Sequence, residues 1–208
     1  FGTSLTAGFK AQAAKNGTNI VFEQKYALGE KDFRPLIEKL KAANPDVIYD
    51  TGYYFDAVNF LSQAKDAGLK AQIVGTEGYD SADLIKIGGA NADGVILTTD
   101  LNRDSQNPMT QKFITEYKKA YNEDVNMVGA SVFDGVQVLA YALKKGGTTT
   151  DGIVKALKDM KDFQDAATGP FQGYTAGREL VRPVGSQVVK GGAFHQYHEF
   201  TDAALITP

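Results

Sequence analysis

The chain has 208 residues, 43 % hydrophobic and 23 % charged, with a formal net charge of -3 and no cysteine. That length carries one good core or two modest ones, and the balance is that of a folded globular protein, not of a disordered or collagenous one. A slightly acidic chain whose lysines are scattered along helical faces has no basic stripe for a run of phosphates, so nucleic acid is excluded as a partner, and without cysteine so are disulfide frameworks, thiolate catalysis and Cys-based zinc sites.

The predicted elements alternate between short apolar runs and amphipathic stretches, as expected when parallel strands are covered by crossover helices, and the fold class is α/β. Ser4 to Asn16 reads as a helix, with Leu5, Phe9 and Ala13 at four-residue spacing and Asn16-Gly17 as its stop. Asn19 to Tyr26 reads as a strand. Phe33, Leu36, Ile37 and Leu40 form the stripe of a second helix that ends at Asn44-Pro45, and Asp46 to Asp50 is the next strand. A helix from Phe55 to Ala67, a strand from Gln72 to Gly75, a short helix from Ala82 to Ile87 and a strand from Gly94 to Thr99 follow.

Leu101 to Pro108 is polar and ends in an Asn107-Pro108 breaker, which marks a crossing between domains. Pro108 to Tyr121, Ala130 to Lys145 and Asp151 to Met160 read as helices. The middle one carries Val132, Val136, Leu139, Ala140 and Leu143 on one broad face that demands a covering layer, and no strand of the chain is an obvious cover. From Gly169 the apolar period changes to two, which predicts short antiparallel strands. A doubly wound domain normally opens with a strand, and the expectation is that one belongs upstream of the helix near Phe1, as does any signal peptide.

Catalytic motifs are scarce. His195 and His198 are the only histidines, and three apart on a strand they project to opposite faces, which disfavours a metal. No Gly-x-Ser-x-Gly elbow, Walker loop or His-Glu-x-x-His is present, and the Gly88 to Gly94 stretch lacks the lysine of a phosphate loop. The chain is read as having no enzymatic activity and no cofactor.

Five stretches carry a family likeness: Ala42-Ala-Asn-Pro-Asp-Val-Ile-Tyr49, Gly52-Tyr-Tyr54, Gln63-Ala-Lys-Asp-Ala-Gly-Leu-Lys70, Thr76-Glu-Gly-Tyr-Asp80 and Gly169-Pro170. In consistent order over nearly the whole chain, they resemble the leucine/isoleucine/valine-binding proteins of bacterial ABC importers. The resemblance implies a type I periplasmic binding fold, two α/β lobes joined by three hinge strands that close on an amino acid. On that plan residues 1–100 form the second lobe without its first strand, 101–170 return to the first lobe, and 171–208 cross back. It also implies a partner permease in the membrane, a further amino-terminal lobe, and a periplasmic or otherwise extracytoplasmic location, lipid-anchored in a Gram-positive host.

The resemblance assigns Tyr53 and Glu77 to the ligand: Glu77 would neutralise the ammonium group, and Tyr53 would supply an oxygen and an aromatic wall. Both fall just past the carboxyl ends of predicted strands, where open α/β sheets place ligands. Taken singly, a Glu there is usually a solvated loop residue and a Tyr usually packs at an edge; the pair together favours binding. Tyr79 is a further pocket wall and Asp80 a cap for the helix starting near Ser81. Val128 stands where relatives carry an aromatic, and either enlarges the pocket or has no consequence. Phe55 replaces a common Pro beside the site, so ligand preference stays open. Two rivals share the architecture: the sensing core of an amide- or amino-acid-responsive regulator, and an engineered split or permuted half of a binding protein.

Overall fold

The computed structural model describes residues 1–207 and divides the chain into two units, 1–97 with 188–193 and 98–187 with 194–207. The chain therefore passes between units at 97/98, 187/188 and 193/194.

In the first unit helix α1 (Gly2–Asn16) ends on Gly17, whose φ of 70° is the left-handed stop that the Asn-Gly pair predicts. Residues 18–26 follow in extended form but outside any ladder, a correction to the strand expected over Asn19 to Tyr26. The Ile20-Val21-Phe22 run favours extended backbone, but strand identity also requires a paired neighbour, which a local pattern does not report. Helix α2 (Arg34–Ala43) ends on Asn44 in the left-handed region and leads into strand β1 (Val47–Asp50). Helix α3 (Tyr54–Asp66), strand β2 (Gln72–Gly75), a 3-10 turn (Glu77–Tyr79), helix α4 (Ala82–Gly88) and strand β3 (Ile96–Thr99) complete the run. The α4 cap is Ser81, whose hydroxyl accepts from the Asp83 N–H, so the cap falls one residue beyond the Asp80 expected.

Strands β1, β2 and β3 are parallel, with Asp50 opposite Gly75 and Gly75 opposite Leu97. Each helix returns the chain so that consecutive strands end on the same edge. Phe33 at the start of α2, Ile37 and Leu40 of α2 and Phe60 and Ala64 of α3 form a core cluster with Ile48 and Ile73 of the sheet.

The second unit holds α5 (Pro108–Tyr121), α6 (Met127–Gly146), α7 (Thr150–Lys158), the two-residue antiparallel strands β4 (Gly173–Tyr174) and β5 (Leu180–Val181), and a terminal turn of helix, α8 (Ala203–Ile206). Strands β6 (Val184–Lys190) and β7 (Ala193–Phe200) contain the last two unit boundaries, and the strand order is β1-β2-β3-β6-β7. Leu101, Phe113, Val125, Ala130 and Ala167 make one cluster of this unit, Val138, Met160, Phe163, Ala166 and Phe171 another.

Asp134 ties these clusters to the loop that follows: its carboxylate accepts from the Ala167 and Thr168 N–H groups and from the Thr168 hydroxyl. Helices α6 and α7 meet backbone to backbone, since a methyl on Gly146 would lie 2.0 Å from the Gly152 carbonyl oxygen and one on Gly152 1.9 Å from that of Gly146. The outer stripe of α6 is uncovered, with Val128, Val132, Val136 and Leu139 half or more exposed.

Candidate functional site

Strand β1 ends in Asp50, and what happens to that carboxylate organises the carboxyl edge of the parallel sheet. One oxygen accepts from the Tyr26 hydroxyl at 2.8 Å and from the Gly52 N–H at 3.1 Å; the other accepts from the Tyr79 hydroxyl at 2.5 Å. Asp50 is nine-tenths buried and Tyr79 fully so. A buried charge is tolerable when each oxygen is hydrogen-bonded, and the three donors come from three separate segments. Burial first, and then the negative charge of Asp50, push the Tyr26 and Tyr79 phenols well above their ordinary range, so both stay protonated donors.

Three glycines make room for this arrangement. A methyl on Gly75 would stand 2.3 Å from the Tyr79 ring, one on Gly52 1.9 Å from the Tyr26 hydroxyl, and one on Gly78 2.4 Å from the Gly52 carbonyl oxygen and 3.2 Å from the Tyr53 ring. The loop after β1, which carries Tyr53, and the turn after β2, which carries Glu77, are thereby in direct contact. Thr76 starts that turn by accepting from the Gly78 N–H.

Tyr53 lines a cavity of about 1070 Å³ bounded by α1, residues 18–26 and β1. Its ring stacks with Phe1 at 5.2 Å and with Phe55 at 5.6 Å and 4°. Glu77 is half-buried and does not line that cavity, but its charge reaches the wall: burial and, secondarily, Glu77 raise the phenol of Tyr49, which does. The structure thus sets Tyr53 and Glu77 on touching loops at one end of the sheet.

Tyr79 has no exposed surface and spends its hydroxyl on Asp50. Val128 lies in the other unit, at the start of α6, 62 % exposed. Among the described residues no cluster of His, Cys, Asp or Glu has the makings of a metal site. His195 lies 3.8 Å from Asp104 and His198 packs edge-on against Phe200. No helix among the described residues is long and apolar enough to cross a membrane.

Sequence reading passed over Asp50, Tyr26 and Asp56. Asp56 is a first-turn residue of α3 with 1 % exposure, accepting from the Gly29 N–H through one oxygen while the other is buried with no hydrogen-bond partner. Burial raises its carboxyl above the ordinary value, against the Gly29 hydrogen bond, which lowers it. The one sequence signal was an acidic residue closing an otherwise apolar strand, Val47-Ile-Tyr-Asp50.

Comparison with known proteins identifies the family. A family model described as periplasmic binding protein matches residues 1–193. The Leu/Ile/Val-binding protein homolog 3 of Brucella melitensis is 32 % identical over 168 residues, 80 % of this chain and 45 % of its own length. The Leu/Ile/Val-binding protein of Escherichia coli is 33 % identical over 172 residues, 82 % of this chain and 46 % of its own. A crystal structure of a leucine-binding protein from Thermotoga maritima superposes with a TM-score of 0.85 at 24 % identity, covering 95 % of this chain and 57 % of that one. The chain spans about half the length of the curated relatives it matches. Its fold is that of type I periplasmic binding proteins, and the chain belongs to the periplasmic binding protein family, among relatives of the leucine/isoleucine/valine-binding kind.

Proposed function

We propose that the chain forms part of an extracytoplasmic solute receptor of an ABC importer, and that the edge carrying Tyr53 and Glu77 receives the ammonium end of an aliphatic amino acid. The observation that supports the reading is the contact between the two loops: Gly78 against Gly52 and the Tyr53 ring, with Asp50 bonded to both Gly52 and Tyr79, brings the turn that carries Glu77 against the loop that carries Tyr53 at the carboxyl ends of adjacent parallel strands. A carboxylate held in a partly desolvated turn discriminates for a cation by charge, and a tyrosine beside it supplies apolar wall and hydroxyl. No bond is made or broken; binding shifts the receptor toward its closed form, which the permease recognises. The groups that hold the ligand carboxylate belong, on this reading, to a first lobe beyond the span of this chain.

The test is a nitrogen-15 NMR titration of the chain with leucine and, separately, with 4-methylpentanoate, which keeps the carboxylate and the branched tail but lacks the ammonium. Leucine is expected to shift the amides of residues 51–54 and 76–79, and the des-amino acid to leave them in place. Equal shifts with both, or none up to the solubility of leucine, would sink the assignment.

A further inference from the structure

Asn16-Gly17, the pair that stops α1, is one of four places where a short acidic or amide side chain precedes a glycine, the others being Asp93-Gly94, Asp134-Gly135 and Asp151-Gly152. In such a pair the glycine nitrogen can reach the γ-carbon of the preceding side chain and close a five-membered imide, because glycine brings no Cβ to obstruct the approach. Three of the four are restrained. Asp93 accepts from the Gly191 N–H at 2.9 Å, Asp134 is 2 % exposed and accepts from three donors, and the Gly152 N–H is engaged by the Thr149 hydroxyl at 3.2 Å. An ionised carboxylate also resists attack by a second electron-rich group.

Asn16-Gly17 escapes these restraints. Asn16, Gly17 and Thr18 are exposed, and a Cβ on Gly17 would meet nothing within 4 Å. Ring closure requires the peptide unit between Asn16 and Gly17 to turn out of its helical setting. What opposes that turn is the closing set of α1 hydrogen bonds: the Gly17 N–H shared between the Ala13 and Ala14 carbonyls, and the Thr18 N–H on the Ala13 carbonyl at 2.9 Å. These belong to a helix end, where local opening costs least. The Asn16 Oδ1, on which negative charge gathers as the ring closes, accepts from the Gln12 carboxamide at 3.1 Å.

We propose that Asn16-Gly17 is a site of spontaneous covalent modification, with water as the co-reactant, that converts Asn16 to aspartate and isoaspartate. The Gly17 nitrogen gives its proton to hydroxide and bonds to the Asn16 Cγ; the Cγ–Nδ2 bond breaks, and that nitrogen departs as ammonia with a proton from water. A water molecule then opens one of the two imide C–N bonds and leaves a carboxylate, with nothing oxidised or reduced. Opening at Cγ yields aspartate. Opening at the backbone carbonyl yields isoaspartate, whose main chain is one methylene longer. Either product brings a negative charge to the carboxyl end of α1, where the helix dipole opposes it, and the isoaspartyl form also displaces the Gly17 and Thr18 N–H groups that close the helix. The same helix carries Phe9 against Tyr49 and follows Phe1, which stacks with Tyr53, so the change acts on an element in contact with the candidate site.

The experiment incubates the chain and a synthetic peptide of residues 12–20 side by side in mildly alkaline buffer, and reads aspartate and isoaspartate at position 16 by peptide mapping with mass spectrometry. Because a helix terminus opens at almost no cost, the folded chain is expected to convert within about tenfold of the free peptide's rate. Asn44-Pro45 and Asn107-Pro108, whose prolines have no N–H with which to attack, are expected to stay intact throughout. Conversion more than about tenfold slower than in the peptide overturns the proposal, because α1 then holds the pair out of reach. Equal loss at the two prolyl sites assigns the chemistry to direct hydrolysis and overturns it as well. So does an unchanged rate of product formation in the Asn16→Gln variant, whose longer side chain requires a six-membered ring.

Discussion

Replacing Tyr79 by Phe removes one oxygen and nothing else from a fully buried ring, so its effect isolates the hydrogen bond to Asp50. The bond is to a carboxylate that is nine-tenths buried, and its loss leaves one of its oxygens without the phenol donor. Hydrogen bonds to charged groups contribute about 1.5–3 kcal/mol, and stranding a buried acceptor costs a similar amount. A loss of about 2 kcal/mol, divided by a urea slope of about 2 kcal/mol/M, lowers the unfolding midpoint of the first unit by about 1 M. Tyr26→Phe is the internal control: it strips the other oxygen of one donor but leaves that oxygen the Gly52 N–H, and it is expected to cost about half as much. Hydrogen exchange of α2–β2 amides in a urea series reports the first unit separately from the second. Equal midpoint shifts for the two variants, or a Tyr79→Phe shift below about 0.25 M, would refute the view that Asp50 is the clamp of this edge.

Gly78→Ala drives a methyl to 2.4 Å from the Gly52 carbonyl and into the Tyr53 ring, so it is expected to cost about 1–3 kcal/mol by overpacking and to shift the Thr51–Tyr54 amide resonances; unchanged resonances would show that the loops do not touch. Stability is expected to depend on pH through Asp56 and Asp134, both raised from 3.8 mainly by burial. A raised folded-state value means the native protein holds the proton longer than the unfolded chain, so the contribution is full below 3.8 and is lost as pH climbs through the raised values. Asp56→Asn keeps an acceptor for Gly29 and cannot ionise; a denaturation series is expected to show its stability flatter than the parent's over that window, and a parallel pair of curves would contradict the assignment.

Most of the α/β alternation was legible because stripes such as Phe33-Leu36-Ile37-Leu40 and stops such as Gly17 and Asn44 act locally; α5 spans Pro108–Tyr121 as read, and β2 Gln72–Gly75. What failed was relational. Residues 19–26 carry the β-branched and aromatic run Ile20-Val21-Phe22 of a strand, yet strand identity depends on partners that no window of sequence contains. The breadth of the α6 stripe announced a face wanting cover, and the face is exposed. At the site, Tyr53 and Glu77 were found from their motifs, whereas the Asp50 clamp was not, because its three donors lie 24, 2 and 29 residues away along the chain. The Gly52 and Gly78 positions looked like ordinary turn residues; their role is close approach, which only assembled coordinates reveal.

The backbone contact between Gly146 and Gly152 restricts how this sequence can drift. Each residue is the obstacle to a side chain at the other, so a first substitution at either place meets a carbonyl, which cannot be trimmed away by a compensating change. The two glycines can only be retained together or lost along with the α6–α7 turn itself, although neither is deeply buried.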